Sequence, residues 1–226
     1  MPIVINRDAP ALPAGLADKA SRVDVPTLGH YLEAGFCDPA VRHLAGPTQM
    51  CGRAVTVRIT APDSVLVHKA TELLTAGDVL VIDTGGDQIH APVGGVVAHA
   101  IALSGAAGVV IDGVCTDLPT LREVGLPVYA RGTSVLTTKL HGVPSGGINV
   151  PISCAGAPVL PGHLVLGDVN GVLVSDPHAV AAVLPRAEKS DENEPALLER
   201  LRSGEKLPAI SAADKLLTEL GVEPGR

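Results

Sequence analysis

Apolar residues along the chain form runs of different kinds, and each kind predicts a different element. "GRAVTVRITA" (52–61) alternates residue by residue, as a strand with one buried face does. "DSVLVHKATELLTAGD" (63–78) repeats its apolar positions at helical spacing and predicts an amphipathic helix capped by Asp63 and closed by Gly77. "VLVID" (79–83) is apolar almost throughout, which predicts a strand covered on both faces. A long loop, "TGGDQIHAPVGG", follows it, and a helix over 94–108 starts at the double glycine. A second buried strand, "VVID", leads through "GVCTD" into a short helix, "LPTLREVG", and a third strand, "LPVYARG" (126–132). Strand, loop, helix, strand, turn, helix and strand over 77–132 is the order of a parallel sheet with helical crossovers.

The flanks differ. Residues 1–14 read as an extended arm, and "DVPTLGHYLEAG" as a short helix with Asp24 at its N-cap and Pro26 in its first turn. Beyond 133, short apolar runs broken by Gly, Pro and Asn predict a β-rich cap. "PHAVAAVLPRA" predicts a helix that begins at its proline and ends at Pro185, and the charged "KSDENEPALLERLRSGEK" turns into a second, more polar one. The expected organisation is an α/β domain over 15–188 and a helical tail over 189–226. From the residue pattern alone, that tail either packs on a neighbouring subunit or stays solvated.

Composition sharpens this picture. Hydrophobic residues make up 46% of the 226 but aromatics only 1%, so the core must be built from Val, Leu, Ile and Ala. A net charge of −7 without a block of Lys or Arg argues against nucleic acid as the main partner. Cys37, Cys51, Cys115 and Cys154 are far apart in apolar stretches and form no metal-binding spacing, so reduced core thiols are expected. No charged start precedes a long apolar run, and no stretch approaches eighteen apolar residues. A soluble, cytoplasmic protein without a membrane partner is expected.

Chemistry is expected at the carboxyl ends of the parallel strands, where loops and helix N-termini converge. Gly94 and Gly95 open a helix, and the N–H groups of Gly95, Val96 and Val97 would suit a carboxylate or phosphate; simple turn chemistry explains the same glycines. Neither a triphosphate-binding loop nor a dinucleotide fingerprint is present. Asp117 follows a buried strand at a helix start, as an N-cap or as a ligand for a hard cation; Thr116 could be the cap instead. Cys115 has no histidine placed to activate it and reads as packing. His90 lies in the long loop flanked by Asp83 and Asp87, which could bind metal or cap the loop.

The series "GDVLVID…GGD…GG…GVVIDG…D…LREVGLPVYARG…INVPIS…PGHLVLGDVNGVLV" resembles the regulator of ribonuclease E activity A (RraA-like) family, from about residue 20 to about 205. That family includes 4-hydroxy-4-methyl-2-oxoglutarate aldolases. The resemblance implies layered β-sheets with flanking helices, in trimers that pair into hexamers with sites between subunits. It implies Mg2+ or Mn2+, held by Asp117 and by Glu192 or Glu194 of a neighbour, with a 2-oxo acid carboxylate on the amides of Val96 and Val97. Thr116 stands where the family has an arginine, and Gly95 where it often has an acidic residue. Thr116 cannot carry positive charge, so Arg131 or His90 is expected to supply it. The implied activity is a metal-dependent lyase, cleaving or decarboxylating a 2-oxo acid through an enolate. The alternatives are a non-catalytic regulator that acts by protein contact, or a metal-assisted isomerase or dehydratase.

Overall fold

The computed structural model describes residues 2–143 and 145–222. An arm carries β1 (Val4–Ile5), and two short helices follow, α1 (Leu16–Ala20) and α2 (Val25–Gly29). Next come β2 (Arg42–Ala45), β3 (Met50–Arg58), α3 (Val65–Ala70) and β4 (Asp78–Asp83). Two more helix–strand units are α4 (Gly95–Leu103) with β5 (Gly108–Cys115), and α5 (Leu118–Val124) with β6 (Val128–Thr133). Five short strands succeed them: β7 (Gly147–Ile148), β8 (Ile152–Cys154), β9 (Ala157–Val159), β10 (Leu164–Asp168) and β11 (Gly171–Ser175). Three helices end the chain, α6 (Pro177–Arg202), α7 (Leu207–Ile210) and α8 (Ala213–Glu219).

Strands β3, β4, β5 and β6 lie side by side and parallel. β2 closes one edge, antiparallel to β6. The free edge of β3 is shared: β10 pairs with its first residues and β7 with its last. β1 then extends β7, β11 extends β10, and β8–β9 form a separate hairpin. Side-chain alternation explains the apolar runs. Leu80, Ile82, Val109 and Ile111 meet Val67, Val97, Ile101 and Leu121 of the crossover helices on one face. Val79, Val81 and Val110 meet Ile152, Cys154 and Val159 of the hairpin on the other. With both faces covered, both parities must be apolar. A third cluster joins Leu28, Val180 and Leu184 to Leu164 and Leu173, seating α2 and α6 against the β10–β11 pair. The result is the mixed α/β sheet with flanking helices that the pattern predicts. Among the described residues no helix is long and apolar enough to cross a membrane.

Four helices differ from expectation: the one expected over 94–108 ends at Leu103, the one expected in "DVPTLGHYLEAG" covers only Val25–Gly29, and two more depart further. The helix expected over 63–78 is only α3, Val65–Ala70. Asp78 ends it from below: its carboxylate accepts the Thr75 N–H at 2.8 Å and the Arg53 Nε–H at 2.8 Å, so the chain straightens into β4 early. The helix expected to stop at Pro185 instead runs unbroken through Pro185 and Pro195 to Arg202. An internal proline costs about 3 kcal/mol. Burial on both sides of it offsets that: Val180 and Leu184 before, Ala187 after, with Arg186 stacked 4.6 Å from the Tyr31 ring. Burying Val180 and Leu184 alone contributes roughly 3–6 kcal/mol.

Candidate functional site

The crossover loops meet above the carboxyl ends of β4, β5 and β6. After β5 the chain turns at Asp117, whose φ of 58° lies in the left-handed region. The Thr116 N–H donates to the Val93 carbonyl at 3.0 Å, which brings this turn against the start of α4. Asp117 sits at the N-cap position of α5, yet its side chain makes no cap bond there. Its Oδ2 instead accepts the Gly95 N–H at 3.0 Å, so it caps the neighbouring helix α4. The Thr116 hydroxyl lies 3.5 Å from Oδ1.

This approach explains the double glycine. A Cβ at Gly94 would lie 2.7 Å from Asp117 Oδ2 and 2.9 Å from the Thr116 methyl. A Cβ at Gly95 would lie 2.8 Å from the Thr120 methyl. With the Gly95 N–H taken by Asp117, the N–H groups of Val96 and Val97 remain without intrahelical acceptors in the first turn. A negative charge is favoured in front of them by the helix dipole.

The segment after β6 crosses over this junction. Ala91 N–H donates to the Leu136 carbonyl at 2.9 Å, and Thr138 N–H to the Ala91 carbonyl at 3.1 Å. Lys139 N–H donates to Pro62 and its carbonyl accepts the Ser64 N–H, at 2.7 and 3.0 Å. Buried Asp63 fastens the far end, accepting the N–H groups of Val65 at 2.7 Å and Val143 at 3.0 Å. Burial pushes the Asp63 carboxyl up, but donors from Val143, Val65, Gly142 and His141 outweigh it and hold it below the ordinary value. Between these parts lies a cleft of about 400 Å³ lined by Gly94–Val97, Thr116, Asp117, Ser64, His68 and Thr137–Leu140. A larger cavity of about 590 Å³ beside β1 is mostly apolar, and its one guanidinium, Arg58, is already paired with Asp83.

The structure brings Gly94, Gly95, Val96, Val97, Thr116 and Asp117 together in the cleft. His90 is not among the lining residues; its Nδ1 lies 2.8 Å from Asp87 Oδ2. The loop thus closes on itself, with Asp87 also accepting the N–H groups of Ile89 and His90. Arg131 lies on the opposite face of the sheet, its Nε donating to Asp112 at 2.6 Å where β5 bulges against β6. Asp112 also receives the Ala155 N–H of the hairpin turn at 2.7 Å, so this pair fastens β8–β9 rather than facing the cleft. Glu192 and Glu194 are exposed on α6, which packs against α1 and α2, and neither lines the cleft of its own chain. Cys115 is fully buried, and burial pushes its thiol up to about 11, as packing requires. Among the described residues no three His, Cys, Asp or Glu side chains cluster as a metal site.

Sequence reasoning missed the two basic residues of the cleft, His68 and Lys139. One signal was available: "TTK" follows a parallel strand at its carboxyl end, where loops converge.

An α/β protein with polar groups gathered at the carboxyl ends of its parallel strands has the architecture in which ligands commonly bind at that edge. The RraA-like family model, described as aldolase/RraA, matches residues 14–174, and the chain belongs to that family. A protein of Halalkalibacterium halodurans, provisionally named a 4-hydroxy-4-methyl-2-oxoglutarate aldolase, is 38% identical over 148 residues, covering 66% of this chain and 70% of that one. One from Pseudomonas fluorescens with the same provisional name is 32% identical over 158 residues, covering 66% and 95%. Among solved structures, the RNA-processing inhibitor RraA from Thermus thermophilis is 32% identical, covers 68% of this chain and 92% of that one, and superposes with a TM-score of 0.62. Streptomyces coelicolor RraAS2, an unusual member of the RNase ES inhibitor RraA family, shares the fold at 22% identity, with a TM-score of 0.72 over 85% and 99%.

Proposed function

We propose that the protein is a divalent-metal-dependent lyase that cleaves or decarboxylates a 2-oxo acid such as 4-hydroxy-4-methyl-2-oxoglutarate or oxaloacetate, releasing pyruvate. The observation that carries this reading is the Asp117 carboxylate, held on the Gly95 N–H inside the cleft. The aldolase names of the relatives support it at the level of reaction class.

The donor set fits Mg2+ or Mn2+ of the water-rich kind. One carboxylate, with waters and substrate oxygens, is a usual complement for Mg2+. When bound, the cation polarises the substrate's keto oxygen as a Lewis acid. The protein's own groups do the rest. The N–H groups of Val96 and Val97 receive the carboxylate next to the keto group. The Gly95 N–H and the turn at Asp117 fix the angle of the Asp117 carboxylate, and Thr116 offers a neutral hydroxyl where charge develops. A neutral donor stabilises that charge less than a guanidinium does; losing such a donor altogether typically costs on the order of a hundredfold in rate.

Completion by a second copy is part of this reading. Val96 and Leu103 are 84% and 87% exposed on one face of α4, Leu140 is exposed in the cleft lining, and Val135 is exposed on the segment after β6. Apolar patches of this kind mark interaction surfaces. A neighbour in a trimer, or a hexamer of two trimers, would cover them and bring Glu192 or Glu194 of its tail to the cleft.

The likeness to the Thermus thermophilis RNA-processing inhibitor supports a second reading, a regulator that acts by protein contact without chemistry. One assay separates the two. Pyruvate release from oxaloacetate or 4-hydroxy-4-methyl-2-oxoglutarate should require Mg2+ and vanish in Asp117→Ala. A correctly folded wild type that neither binds the metal nor turns over either acid refutes the lyase.

A further inference from the structure

We infer that Lys139, with His68, is the specificity-determining cation of the cleft and takes the distal carboxylate of a 2-oxo diacid. This rests on the lyase reading and deepens it. Among the cleft-lining residues Lys139 and His68 are the only basic side chains, and Asp117 the only acidic one. The helix terminus and Asp117 serve the 2-oxo acid end of a ligand. Nothing in that reading uses the wall formed by α3 and the 134–143 segment.

Lys139 is placed for such a role from both sides of its backbone. Its N–H and carbonyl are bonded to Pro62 and Ser64 at 2.7 and 3.0 Å, and buried Asp63 holds the next turn through Val143. The root of the side chain is therefore fixed, while among the described residues its ammonium donates only to the Thr137 hydroxyl, at 3.1 Å. Arg53, Arg58 and Arg131, by contrast, are each paired with a carboxylate of the sheet. Lys139 makes no ion pair among the described residues, and neither does the His68 ring. An ammonium with spare donors on a wall next to the anion-accepting helix terminus is complementary to a ligand with a second negative group.

That group is a carboxylate rather than a phosphate. The wall offers one permanent charge, α3 is only six residues long, and Asp117 already contributes a negative charge to the same cleft. A single group carrying two negative charges would be under-compensated at that wall.

The test compares a monoacid and a diacid by titration calorimetry on the full chain with Mg2+ present. Wild type should bind 2-oxoglutarate more tightly than 2-oxobutyrate. Lys139→Gln should weaken 2-oxoglutarate tenfold or more while leaving 2-oxobutyrate within twofold, and Lys139→Arg should keep most of the preference. Equal weakening of both acids, no weakening of either, or no binding of either to wild type overturns the inference. Pyruvate release measured on the same preparations reports separately on the lyase reading. Turnover with the diacid preference intact in Lys139→Gln sinks the inference alone; preference lost without any turnover sinks the lyase alone.

Discussion

Gly94→Ala isolates the contact on which the cleft is built. Gly94 has φ −128° and ψ −166°, extended backbone that alanine adopts without strain, so the substitution acts through its added carbon alone. That carbon would stand 2.7 Å from Asp117 Oδ2 and 2.9 Å from the Thr116 methyl. Non-bonded atoms settle near 3.5 Å, so the carboxylate must retreat by about 0.5 Å or more. The bond it gives up is the 3.0 Å contact with the Gly95 N–H. A hydrogen bond to a charged group contributes about 1.5–3 kcal/mol and a helix cap about 1 kcal/mol. The expected loss is about 1–3 kcal/mol, or roughly 2–10 °C in Tm for a chain of this size. Urea denaturation of four proteins checks the cause: wild type, Gly94→Ala, Asp117→Ala and the double variant. With Asp117 truncated the nearest clash, with its Oδ2, is gone and the Thr116 methyl remains, so the double variant should lose at least ~1 kcal/mol less than the sum of the singles. Gly132→Ala, where a Cβ meets nothing within 4 Å, serves as the neutral control. Additivity within about 0.5 kcal/mol would refute the reasoning, because the cost would then not pass through Asp117.

Asp63→Asn should cost about 1–3 kcal/mol at neutral pH, since an amide cannot accept as a carboxylate does from both Val65 and Val143. The Asp63 carboxyl is held below its ordinary value, so its contribution is complete above the unfolded pKa of about 3.9 and fades as pH falls through the folded value. The acid limb of stability against pH should flatten in the variant; an unchanged limb would show that another group governs it. Cys115→Ala should keep whatever turnover the wild type has and lose about 1–2 kcal/mol of stability, because the thiol is buried and protonated at neutral pH. Abolished turnover in a folded Cys115→Ala protein would restore the thiol as a nucleophile.

The parallel sheet was legible because Val79–Ile82 and Val109–Ile111 are apolar at both parities, which only a doubly covered strand requires. α3 was overread because periodicity at 71–77 says nothing of Asp78 pulling Thr75 out of the helix. Pro185 was overread in the opposite sense, as a local cost that packing on α2 outweighs. At the cleft, the convergence of Gly94–Val97 with Thr116 and Asp117 could be read from turn chemistry near each strand end. His68 and Lys139 could not, for they stand 71 residues apart and meet only through backbone bonds that follow no periodicity. His90 drew attention as a polar loop histidine, yet three residues upstream lay Asp87, to which its ring is bonded.

Because Asp117 caps a helix other than its own, the cleft belongs to neither strand–helix unit alone. At the cleft two bonds tie the units together, Gly95 N–H to Asp117 and Thr116 N–H to Val93, and each spans more than twenty residues. Such bonds need both units docked, so they report that docking rather than the local structure of either unit. The Gly95 proton is then a single-atom reporter of docking. Its exchange with solvent deuterium should slow only when the two units close together, and should quicken first when they part.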